Sequence, residues 1–195
     1  MNLQDFKPGQ YSKQVEYESF SPEKIYHEWI ISTPEVNKLL AEANRLVGEL
    51  NAFPQIIPDV DFFISMHILK EATTSSRIEG TKTNMEEALI KEEDISPERK
   101  DDWAEVQNYI QAINTSIKEL EKLPISNRLI RNTHRILLSG VRGKYKLPGE
   151  FRRSQNWIGA TLRDAVFIPP QHSQVAELMS DLEKFINDED YAVPH

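Results

Sequence analysis

Residues 96–120 read SPERKDDWAEVQNYIQAINTSIKEL, and this stretch decides the fold class. Ser96-Pro97-Glu98 is a helix start, with a hydroxyl in the capping position, a proline where its missing N–H costs nothing, and an acid in the first turn. Behind it Trp103, Val106, Ile110, Ile113, Ile117 and Leu120 recur every three or four residues, and Pro124 ends the run. A helix of that length with one apolar stripe must bury the stripe against other elements.

Working outward, the same signals recur. Thr33-Pro34-Glu35 starts a helix whose stripe is Val36, Leu39, Leu40, Ala43, Leu46, Val47 and Leu50, closed by the proline-containing loop Asn51 to Pro58. A second helix is predicted from Asp59, with Phe62, Phe63, Met66, Leu69 and Ala72 on one face, and Gly80 offers its stop. A short helix is expected over Asn84 to Lys91. Ser126 caps another through Leu138, stopped at Gly140, and Val175, Leu178, Met179, Leu182, Phe185 and Ile186 mark a last one. Residues 1–20 lack a clean period and read as an arm packed along the domain. Asn156 to Ile168 reads as two short strands around a polar turn, with Trp157 and Ile158 on one side and Val166, Phe167 and Ile168 on the other. The expected fold is all-α, a bundle of about six to seven helices with one small β-hairpin. The organisation divides at 1–60, 61–123 and 124–195.

Composition bounds the function. The 195 residues carry a net charge of -8 and no cysteine, which excludes disulfides and thiolate metal sites. No apolar run approaches the ~20 residues of a membrane span, and Met1 to Gly9 has no secretory-signal pattern, so a cytoplasmic protein without membrane contact is expected. The acidic balance argues against nucleic acid. The densest basic patch is Arg142, Lys144, Lys146, Arg152 and Arg153, for which surface salt bridges with Glu150 and Asp164 are the default. His134 and His67 read as packed histidines, Trp103 and Trp157 as core anchors. No histidine or carboxylate spacing matches a metal site.

Two stretches carry specific information. Lys70 to Thr81, KEATTSSRIEGT, contains Ser75-Ser76-Arg77-Ile78-Glu79-Gly80, and it resembles the inhibitory motif of Fic proteins: a Ser or Thr, three residues, Glu, then Gly or Asn. Further on, Arg142-Gly143, Pro148-Gly149-Glu150-Phe151-Arg152, Gln155-Asn156-Trp157-Ile158-Gly159 and Phe167-Ile168-Pro169-Pro170 are similar to the segment that precedes the Fic catalytic core and holds its target-docking hairpin, the flap. The family continues into His-Pro-Phe-x-Asp-Gly-Asn-Gly-Arg-x-x-Arg. None of the five histidines here, His27, His67, His134, His172 and His195, begins such a motif, and a truncated chain is the expectation.

The resemblance implies a part of a protein adenylyltransferase, which moves AMP from ATP to a protein hydroxyl with Mg²⁺; the ATP and Mg²⁺ groups belong to the full-length parent, and this chain alone is expected to be inactive. In these terms 61–123 is the inhibitory-helix region and 124–195 the start of the Fic core. It further implies that Glu79 is inhibitory, pairing with the last arginine of the absent motif and keeping it from the γ-phosphate, with Gly80 ending the helix. Ser75, four residues before Glu79 on the same face, is placed to steady that carboxylate or to cap a nearby backbone group. Asp164, Ala165, Val166 and Phe167 would lie beside nucleotide and target backbone. The implied partners are a hydroxyl-bearing target protein, the remainder of the Fic core and a second copy in a homodimer. Rival readings are another transfer on the same fold, a non-enzymatic helical dimerisation or regulator-binding domain, and, more weakly, a transcriptional regulator.

Overall fold

A computed structural model describes residues 1–140 and 145–188. Arg142, Gly143 and Lys144 of the basic loop, and His195, lie outside the described residues. The chain divides into two units, Met1–Val36 with Ile125–Asn127 and Glu150–His195, and Asn37–Pro124 with Arg128–Gly149. The described residues form six α-helices and one two-stranded antiparallel sheet, so the all-α class with a small hairpin holds. None of these helices is long and apolar enough to cross a membrane.

The helices are α1 (Pro34–Ala52), α2 (Val60–Ile78), α3 (Met85–Ala88), α4 (Lys100–Leu120), α5 (Asn127–Leu137) and α6 (Val175–Ile186). In the second unit α2 and α4 pack on one another. Leu69 and Ala72 of α2, Ala88 of α3 and Val106 of α4 form the core, bordered by Met66, Met85, Tyr109 and Ile110. Ala72 and Val106 are both fully inaccessible, because the small alanine lets the two helices approach. Two helix starts, those of α2 and α3, carry side-chain caps, whereas the expected Ser96 cap makes no such bond and α4 begins only at Lys100. The Asp59 carboxylate accepts the Phe62 N–H at 2.8 Å. Asn84 and Glu87 form a reciprocal capping box around α3. That helix is shorter than expected, ending at Ala88 with Leu89 as its C-cap, and residues 92–94 form a separate 3-10 turn. Pro97–Arg99 is likewise a 3-10 turn that leads into α4. Arg99 bonds Glu87 at 2.6 Å and also donates to the Lys82 carbonyl, tying the α4 entrance to α3.

The stripe of α1 has a different outcome from that of α4. The α1 stripe is amphipathic as predicted, but α1 has no buried residue, and Leu39, Leu46, Val47 and Leu50 are exposed. Periodicity reports that a helix has an apolar face; it cannot report whether this chain supplies the surface that covers it.

In the first unit the N-terminal arm is a hairpin. Strands β1 (Gly9–Lys13) and β2 (Glu18–Pro22) pair from Gly9 opposite Pro22 to Lys13 opposite Glu18. The regular sheet therefore lies at the N-terminus, while 156–168 contributes one antiparallel bridge, Ile158 to Phe167. The Phe20 N–H donates to the Ile168 carbonyl at 2.8 Å and joins the two extended segments. The buried Asp181 of α6 accepts the Ile25 and Tyr26 N–H groups at 2.7 and 3.3 Å. Glu183 accepts the Asn127 side chain at 2.6 Å. On the surface Lys24 pairs with Glu177 at 2.6 Å, and the hydrogen bond and charge raise the lysine pKa and lower that of the acid.

The core and α1 should respond differently to truncation. Leu69→Ala is expected to cost about 2–5 kcal/mol in urea unfolding, whereas Leu39→Ala on the open face of α1 should stay within about 0.5 kcal/mol of the parent.

Candidate functional site

The end of α2 is built by its sequence. Glu79 closes the helix with φ -80° and ψ 0°, and Gly80 follows at φ +100°, in the left-handed region that glycine enters cheaply. The Gly80 N–H reaches the Arg77 carbonyl at 3.0 Å and the Thr81 N–H the Ser76 carbonyl at 3.1 Å. This pair of bonds is a Schellman closure, which satisfies carbonyls that the helix end leaves open. Beyond it, the buried Asp102 carboxylate accepts the Lys82 N–H at 2.8 Å and fixes the exit path on α4.

Glu79 is exposed and opens onto a cavity of about 510 Å³. Asp101 and Glu105, one turn apart on α4, face the same space, with Asn108, Tyr109 and Lys146. Asn108 donates to the Ser139 carbonyl and holds the end of α5 at the rim. Further along the chain, the Gly149 N–H donates to His134 Nδ1 at 2.9 Å, and Arg131 Nε donates to the Gly149 carbonyl at 2.7 Å. A side chain at Gly149 would meet the Arg131 carbonyl at 2.9 Å, so this close approach requires glycine. His134 is thus a half-buried structural acceptor, as expected; His67 differs, being exposed with its ring against Phe63 at 4.2 Å.

Ser75 behaves differently from expectation. Its hydroxyl donates to Glu71 Oε1 at 2.6 Å, not to Glu79. Side chains on a helix lean towards its N-terminus, so the serine reaches back one turn to Glu71. The Tyr109 hydroxyl approaches the same oxygen at 3.4 Å. Among the described residues, no side-chain hydrogen bond or ion pair engages the Glu79 carboxylate. The cavity can therefore receive a cationic, hydrogen-bond-donating group at Glu79, and its acidic lining disfavours an anion.

The flap residues lie in the other unit. The Asp164 carboxylate accepts the Thr161 hydroxyl at 2.9 Å and shapes the turn. Val166 is 85% exposed, and Phe167 packs beside Phe20 at 6.1 Å. Ala165, just before Val166, is half-buried. Trp157 is exposed, so it is no core anchor, whereas Trp103 is half-buried. Arg152 donates to the Pro170 and Ser154 carbonyls, and burial lowers its pKa from the ordinary arginine value. Arg153 stands 4.0 Å from Glu150, the surface pairing expected for the basic loop, while Arg163 reaches Glu16 at 3.5 Å.

The structure brings together Ser75, Glu79 and Gly80 at one helix end, and Asp164, Ala165, Val166 and Phe167 in one turn. Sequence reasoning missed Glu71, Asp101, Glu105, Asn108 and Tyr109. Glu71 carried a usable signal, its four-residue spacing from Ser75. The α4 residues carried none, because only the α2–α4 packing places them opposite Glu79. Gly80→Ala should lower stability by about 1–2 kcal/mol through backbone strain alone, since the added methyl meets nothing within 4 Å; urea unfolding measures it.

Residues 37–118 match the family model described as Fic/DOC family N-terminal. That span covers α2, α3, the Glu79 helix end and nearly all of α4. No curated protein matches the sequence. This match supports a reading of the chain as an N-terminal part of a Fic-family protein.

Proposed function

We propose that this chain is the regulatory and target-docking portion of a protein adenylyltransferase, and that Glu79 is its inhibitory group. The observation that carries the reading is the Glu79 carboxylate: it ends α2 at a cavity lined by further acids, with no side-chain partner of its own among the described residues. A guanidinium is the group that best fits such a carboxylate, because its planar fork meets both oxygens at once. In this reading the remainder of the Fic core supplies the arginine. An arginine held by Glu79 is withheld from the γ-phosphate of ATP.

In this reading ATP and Mg²⁺ are held by the remainder of the Fic core. No group of three or more His, Asp or Glu among the described residues is placed to hold a metal ion. Phosphate beside Glu79, Asp101 and Glu105 would meet like charge. The chain's part is therefore to hold or release an arginine and to present the flap. At the flap, the exposed Val166 and the backbone around the Ile158–Phe167 bridge offer an extended edge to a target segment.

A second reading, a non-enzymatic helical dimerisation domain, is favoured by one feature, the uncovered apolar stripe of α1. Light scattering of the 195-residue protein tests the stripe itself: a stable dimer that dissociates on Leu46→Glu supports self-association through α1, and a monomer argues against it.

The main reading is tested in a longer protein that contains the catalytic motif. Glu79→Gly should raise transfer of labelled AMP from ATP to protein by at least tenfold, the equivalent of about 1.4 kcal/mol of lost inhibitory pairing. Transfer no higher than in the parent would sink the inhibitory role.

A further inference from the structure

On α2 Glu71, Ser75 and Glu79 follow one another at four-residue intervals and lie along one face. Between the two acids stands one serine, whose hydroxyl has a single proton to donate. In the structure that proton goes to Glu71 at 2.6 Å. The alternative acceptor is Glu79, whose side chain leans back towards Ser75 by the ordinary tilt of helical side chains. The two carboxylates therefore compete for one donor, and the outcome decides how Glu79 meets its own partner.

We propose that Glu71 is a positioning residue: by taking the Ser75 hydroxyl, it keeps both oxygens of Glu79 free for a bidentate guanidinium. This rests on the reading of Glu79 as an arginine-holding group and names what controls it. If Ser75 turned to Glu79, one carboxylate oxygen would be committed to the hydroxyl and the arginine pair would fall to a single bond, losing the geometric gain of the fork.

Glu71 is also exposed to a different environment. It lines, with Tyr109, an apolar groove of about 290 Å³ formed by Phe63, Ile64, His67, Ile68 and Ile113. Tyr109 lines the Glu79 cavity as well, and its hydroxyl lies 3.4 Å from the Glu71 oxygen that Ser75 bonds. Glu71 thus joins the groove to the inhibitory carboxylate through the serine.

The test is carbon-13 NMR of the glutamate carboxyl groups in the 195-residue protein, with Glu71→Ala, Ser75→Ala and the double variant. Glu71→Ala should shift the Glu79 carboxyl resonance, because the freed hydroxyl turns to it, and adding Ser75→Ala should return that resonance to its parental position. In a titration with acetyl-arginine amide at low ionic strength, Glu71→Ala should bind roughly two- to tenfold more weakly, the effect of one hydrogen bond, and the double variant should recover. A Glu79 resonance unmoved by Glu71→Ala, or moved and not restored by removing the Ser75 hydroxyl, overturns the proposal, since a purely structural role for Glu71 would not be rescued by a second truncation. Glu79→Gln in the same titration separates the two claims: if it binds the probe as the parent does, the arginine-holding reading of Glu79 fails, whatever the resonances show.

Discussion

The close approach of α2 and α4 is the constraint on which the candidate site depends. Ala72 and Val106, both without accessible surface, share one core cluster with Leu69 and Ala88, and Met66 packs against it. Because the two helices are held there, Glu79 at the end of α2 comes to share a cavity with Asp101 and Glu105 near the start of α4. A larger residue at 72 would push the helices apart and open that arrangement from within. The chemistry at the helix end is thus set by packing about two turns away.

Charge gives that cavity its character. Three carboxylates and one lysine line it among the described residues, and the Asp102 carboxylate is turned inward to the Lys82 N–H. Such a surface selects cations before any specific contact forms. It also explains why the chain's overall acidity matters locally: Asp101 and Glu105 of α4 are gathered with Glu79 beside the helix end that left-handed Gly80 closes.

The two units use different means to hold their polar groups. The unit with α2 and α4 relies on caps at helix ends, Asp59, the Asn84–Glu87 box and the Gly80 closure, together with a small apolar core. The other has one short helix and little regular sheet, and it relies on single buried or half-buried acceptors, Asp181 for Ile25 and Tyr26 and Glu183 for Asn127. Removing one of those acceptors would strand donors that have no substitute nearby.

The sequence by itself determined the helices and their ends. Asp59, Asn84 and Gly80 act locally, within one turn of the groups they satisfy, so the ends of α2 and the start of α3 were legible from capping, while α4 and α6, which have no side-chain cap, were legible from spacing. It also singled out Ser75, Glu79 and Gly80 as one motif, since those residues are close along the chain. Only the tertiary structure decided what surrounds them. It gave the Ser75 hydroxyl to Glu71, brought Asp101 and Glu105 opposite Glu79, left α1 uncovered, and put the regular hairpin at 9–22 while 156–168 kept a single bridge. Each of those outcomes depends on competition between partners, or on contacts between residues far apart in sequence, and neither is recorded in a local pattern of residue types.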